Sequence, residues 1–182
     1  MKMSHPMSRG FTLIELVITL AVVGIVLAIA APYGAAFINK SKARSLTGEL
    51  TRSLMSARSQ AITYGRTVSV CGRSAPDTLA CAANAEGWRN GWLVFWGGPA
   101  VAPTAANLIA NVNRAQGNVV LNAAAVRVVF YPNGRASPAN NGLFTVACRN
   151  PGEGAVAKFR TVQLGANGFL NTVIDGDANY AC

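Results

Sequence analysis

The sequence predicts an α+β protein: a long N-terminal helix packed on an antiparallel β-sheet domain. Three observations carry that expectation. A charge-free apolar run fills Leu16 to Ile38. A striped helical pattern follows it, and from Thr67 onward short apolar runs are broken by glycine, proline and asparagine. One helix feeding a set of strands must cover their apolar face, which gives two layers around one core.

The apolar run comes first. Its 23 residues make a helix of about 34 Å at ~1.5 Å per residue, enough to cross a bilayer core of ~30 Å. Lys2 and Arg9 precede it, and Lys40, Lys42 and Arg44 follow it, so charge alone leaves the orientation open. A conventional secretory signal has a shorter apolar region and a small-residue cleavage site. The alanine-rich stretch Ala28 to Ala31 offers the composition of such a site but not its context. Glu15 stands at the start of the run, where interface and helix dipole reduce the cost of a carboxylate.

Beyond Ile38 the helical pattern continues. Ala43, Leu46, Leu50, Leu54, Ala57 and Ala61 recur at steps of three and four, a stripe that expects a sheet beneath it. Gly65 is the expected stop. Lys40, Arg44, Arg52, Arg58 and Arg66 share a second arc of roughly 120°. This arc reads as a solvated helix face, or as a contact for lipid phosphates, an acidic neighbour or DNA.

The strands follow at 67–72, 91–96, 118–122, 126–134, 142–149, 159–165 and 168–174. Asn133-Gly134 and Ala166-Asn167-Gly168 mark turns, and 97–107 reads as a loop. Trp88, Trp92, Phe95 and Trp96 read as core and interface residues, with a ligand-stacking surface as the alternative.

Chemistry is sparse. His5 is the only histidine, so the chain beyond the N-terminal stub lacks the commonest general base and metal ligand. Serine and cysteine nucleophiles have no histidine partner, and no phosphate loop or GxSxG is present. No enzyme activity, cofactor or metal is expected. Asp175 and Asp177 read as a turn rather than a calcium site, which needs six or more oxygens. Cys71, Cys81, Cys148 and Cys182 do not match zinc spacing. An even count beyond a membrane signal suggests an oxidising compartment. We expect Cys71–Cys81 and Cys148–Cys182, against two other pairings or buried free thiols.

The segment Arg9-Gly10-Phe11-Thr12-Leu13-Ile14-Glu15-Leu16 resembles the class III signal of type IV pilins and type II secretion pseudopilins. The later order of Cys71, Cys81, "GWLVFW", "VVFYPNG", "FTVACR" and a final hairpin resembles the GspH/FimT branch of that family. The resemblance implies a pilin fold. It implies a leader at 1–10, a membrane and assembly half of the helix at 11–38, and a head at 39–182. Within the head, 39–65 is the amphipathic helix and 66–182 the β-rich part. It further implies that prepilin peptidase cuts between Gly10 and Phe11 and methylates the new Phe11 amine. Glu15 then pairs with the amine of a neighbouring subunit, and Pro32, lacking an N–H, kinks or loosens the helix. The implied partners are other pilins or pseudopilins, the prepilin peptidase, an inner-membrane assembly platform and membrane lipid. The implied location is the bacterial inner membrane, single-pass, with the head in the periplasm and then in the fibre.

Two functions remain open at this level. One is a structural minor subunit that helps initiate assembly near the tip of a type IV pilus or a secretion pseudopilus. The other is a DNA-binding pilin for natural transformation. In the DNA-binding subgroup, the final hairpin carries GRxR. Here that turn reads Gly165-Ala166-Asn167-Gly168-Phe169, without arginine. Arg135, Lys158 and Arg160 are the substitute candidates for DNA or phosphate. From Asn39 onward 14 Lys or Arg face 6 Asp or Glu, which favours acidic partners.

Overall fold

A computed structural model describes residues 11–114, 118–137, 142–149 and 156–173; within these, the side chains of 29–36, 149 and 156–159 lie outside the description. Gly10, Asp175, Asp177 and Cys182 also lie outside it. The chain divides into two compact units, residues 1–37 and 38–182.

One helix, α1 (Leu13–Thr63), enters both units. In the first unit every described side chain from Phe11 to Ala28 is exposed. Among the described residues no helix is long and apolar enough to cross a membrane. The charge-free run of the sequence continues through residues 29–36. The helix also continues through Pro32.

Among the described residues, the second unit holds the rest of α1, nine strands and a short 3-10 helix (Ala85–Asn90). One sheet has the order β3 (Leu108–Asn113), β2 (Gly91–Trp96), β1 (Val68–Gly72), β5 (Arg127–Phe130), β6 (Ala136–Ser137). The other has the order β4 (Val119–Ala123), β7 (Gly142–Arg149), β8 (Val156–Leu164), β9 (Leu170–Val173). All pairings are antiparallel. The expected strands are present, each within a few residues. Two strands that the sequence hides are β3 and β6. Among the described strands β3 lies at the sheet edge and pairs with β2 alone, so it needs no clean apolar alternation.

The helix stripe is where the pattern places it. Ala43, Leu46, Leu50, Leu54, Ala57 and Ala61 are all buried in one cluster with Val68, Val70, Val128 and Phe130 of the first sheet. The same cluster takes Leu121, Phe144, Val146, Val162 and Leu164 of the second. Period 2 in β1 and β2 sends alternate residues to the opposite face, where Cys71, Leu93 and Phe95 form a small second core.

The helix ends on Gly65, at φ +60°. The Arg66 N–H donates to Ala61 O at 3.2 Å, and the Gly65 N–H donates to Ile62 O at 3.4 Å. This is the paired closure that a left-handed glycine permits. Trp88, Trp92 and Phe95 are fully buried, as their core reading expects. Trp88 Nε1 donates to Ala125 O at 2.8 Å, and its ring meets Phe144 edge-on at 4.8 Å.

Candidate functional site

At the N-terminal end, Thr12 caps α1. Its Oγ1 accepts the Glu15 N–H at 3.3 Å, and its carbonyl accepts the Leu16 N–H at 3.2 Å. Thr12 and Glu15 have the S/T-x-x-E spacing of a capping box, a signal present in the sequence but overlooked beside the larger motif. Phe11, the residue just before the cap, is 83% exposed. Glu15 is exposed too, and the first turn gives its carboxylate the positive end of the helix. The ion pair present among the described residues joins Arg89 to Glu86 at 4.0 Å, so Glu15 has no cation partner there.

Most arginines of the head do not form a free basic surface. Arg58 was expected on a solvated arc, and the structure corrects this. Its Nε donates to Gly134 O at 2.9 Å, its Nη2 to Asn167 O at 3.4 Å, and its guanidinium lies 4.5 Å from the Phe169 ring centroid. Arg58 therefore ties α1 to the β5–β6 turn and the β8–β9 turn together. Both turns use glycine at positive φ, Gly134 and Gly168, each at +77°. A Cβ on Gly168 would meet Gly134 O at 2.1 Å, so only glycine permits this approach. Arg66 stays exposed, with its guanidinium 4.9 Å from the Trp96 ring centroid.

Three further arginines hold loops by their carbonyls. Arg73 is buried and donates to Thr78 O at 3.1 and 2.8 Å and to Asn111 Oδ1 at 2.6 Å. It sits inside the loop closed by the Cys71–Cys81 disulfide. Arg127 donates to Pro99 O at 2.5 Å and Val101 O at 2.9 Å, and stacks 5.3 Å from Phe95. Arg114 donates to Val119 O. Burial lowers the pKa of Arg114 and Arg127 below the usual arginine value; Glu49 partly offsets this at Arg114. No sequence signal marks these roles, because a linear pattern does not say which carbonyl will face a guanidinium.

The three candidate phosphate contacts fall on two sheets. Arg135 is exposed between β5 and β6. The Ala136 N–H donates to Ala166 O at 3.1 Å, which sets Arg135 beside the β8–β9 turn. Arg160 is half-buried on β8 opposite Val146, about 13 Å up the strand from Leu164 at ~3.3 Å per residue. Lys158 is opposite Ala147, and the register shift between Val146 and Ala147 separates the two by a bulge. The Lys158 side chain lies outside the described residues. Cys148 is buried in β7 and disulfide-bonded, while Cys182 lies outside the described residues.

The family model described as "Type II transport protein GspH" matches residues 46–168, more than half of the chain. The model described as "Prokaryotic N-terminal methylation motif" matches residues 6–31. Two crystal structures of the type IV minor pilin FimU of Pseudomonas aeruginosa are similar. The P21 form has a TM-score of 0.52 and 21% identity, covering 80% of this chain and 98% of that one. The P65 form has a TM-score of 0.48 and 21% identity, covering 76% and 98%. The first of these shows a shared fold. No curated protein sequence matches the chain.

Proposed function

This chain belongs to the GspH family of pilin-like subunits, and from that premise we propose that it is a minor subunit helping to start fibre assembly near the tip of a type IV pilus or a type II secretion pseudopilus. The family is structural, not enzymatic. The observation that carries the reading is the contrast along α1. The head half completes its own core, while the half that the methylation motif covers leaves its described apolar residues outward from Phe11 to Ala28. Such a segment needs lipid or neighbouring helices around it.

In this reading prepilin peptidase cuts between Gly10 and Phe11 and methylates the Phe11 amine. Residues 11–38 anchor the chain in the inner membrane, with the head in the periplasm, and Lys40, Lys42 and Arg44 meet lipid phosphates. Pro32 gives the anchoring half a point of bending when it moves from lipid into the fibre through the assembly platform. Glu15 pairs with the amine of an adjacent subunit. An unpaired carboxylate among packed apolar helices is costly, so this pair sets register as well as attraction. Cys148 and Cys182 form the second disulfide and tie the C-terminal end to β7. Glu15→Ala tests the assembly role. Membrane insertion should be unchanged while recovery in sheared fibres falls at least tenfold; wild-type recovery would contradict it.

A DNA-capturing role is the second reading, favoured by exposed Arg135 beside the β8–β9 turn. Labelled duplex DNA titrated with residues 39–182 tests it. Micromolar binding with a steep salt slope, lost when Arg135, Lys158 and Arg160 are changed to alanine, would support it. No binding at low salt would remove it.

A further inference from the structure

The Cys71–Cys81 bond joins two sulfurs in unlike surroundings. Cys71 is fully buried on β1 with Leu93 and Phe95, whereas Cys81 is half-buried at the end of its loop. Arg127 Nη2 donates to Cys81 Sγ at 3.2 Å. The guanidinium does not depend on that sulfur for its place. Its Nη1 donates to Pro99 O and Val101 O, and it stacks on Phe95. The loop, too, is held by more than its disulfide. The Ala82 N–H donates to Gly72 O at 2.8 Å, the Ser74 N–H donates to Ala80 O at 2.9 Å, and Arg73 donates to Thr78 O. The two cysteines and Arg127 therefore stay together when the bond is open.

We propose that Cys81 is the thiol through which the head accepts oxidation from an external disulfide, and that Arg127 prepares it for that step. A thiolate is the attacking species, and an adjacent guanidinium stabilises it. Apolar burial does the opposite at Cys71 and closes it to a bulky donor. The Cys81 thiolate attacks one sulfur of the donor and expels the other, which leaves a mixed disulfide at Cys81. Cys71 then loses its proton, and its sulfur attacks Cys81 Sγ and expels the remaining donor sulfur. Two electrons pass from the cysteine pair to the donor, and the two protons the cysteines lose match the two that the donor thiols take up. The other charged groups described around the loop are engaged elsewhere. Arg73 is turned onto Thr78 and Asn111, Asp77 accepts from Asn113, and Glu86 and Arg89 of the 3-10 helix, beyond Ala82, pair with each other. The inference does not depend on whether the head serves a fibre or captures DNA.

The test uses the full chain in detergent micelles, reduced with dithiothreitol, moved into oxidised glutathione and quenched with acid at intervals. Peptide mass spectrometry should find a glutathione adduct at Cys81 before the Cys71–Cys81 bond closes, about tenfold or more above any adduct at Cys71. Equal adducts, or an adduct that forms first at Cys71, would overturn the proposal. Capture of the reduced chain by iodoacetamide across a pH series gives an independent reading. The midpoint for Cys81 should lie below that of free glutathione, rise in Arg127→Gln and fall back in Arg127→Lys, which keeps the charge. The fluorescence of buried Trp88 and Trp92 checks that each variant is folded. An unchanged midpoint in folded Arg127→Gln would overturn the role of Arg127. A wild-type midpoint at or above that of glutathione would do so even if the variant does not fold.

Discussion

The two halves of α1 have the same backbone and opposite burial. From Phe11 to Ala28 every described side chain faces outward, whereas from Ala43 to Ala61 six apolar residues form one buried stripe. Helix propensity does not separate them. The distribution of polarity around the axis does. An all-round apolar helix expects its surroundings on every side, and a striped helix expects one surface. For the striped half that surface is two sheets of the same chain. For the other half, in the proposed reading, it is lipid and then other chains.

The largest effect that can break this comparison is a truncation in each half. Leu54→Ala should destabilise the head by about 2–5 kcal/mol, because a fully buried side chain leaves a cavity. Leu20→Ala should leave head unfolding within about 0.5 kcal/mol, since that side chain is exposed. Urea unfolding followed by tryptophan fluorescence reads both, and comparable losses would erase the distinction.

A smaller effect sharpens the comparison within the striped half. Arg58 and Arg52 share one basic arc in the sequence, but Arg58 bridges two turns and Arg52 is exposed. Arg58→Ala should cost roughly 1–3 kcal/mol through its lost hydrogen bonds, and Arg52→Ala less than about 0.5 kcal/mol. Equal changes in the two unfolding midpoints would return Arg58 to a solvated face.

Much of the fold was legible because burial follows periodicity. The helix stripe, the Gly65 stop and the turns at Asn133-Gly134 and Asn167-Gly168 follow from local rules. The Cys71–Cys81 disulfide was expected, though the spacing alone left other pairings open. β3 escaped because Leu108–Asn113 is an edge strand rich in asparagine, and β6 because two residues carry no period. At the candidate site, the N-terminal motif was legible as a resemblance, while the capping role of Thr12 was passed over. The arginines were misjudged most. Formal charge suggests a basic surface, but Arg58, Arg73, Arg114 and Arg127 point at carbonyls that only the folded chain brings near.

The most direct measurement of the division between the two halves is the intact mass and N-terminal sequence of the mature protein from the membrane fraction. The expected species begins at Phe11, carries one methyl group on its amine and keeps the whole apolar half. A mature chain beginning after the alanine-rich stretch Ala28–Ala31 would mean that half is discarded, and it would contradict an assembly helix.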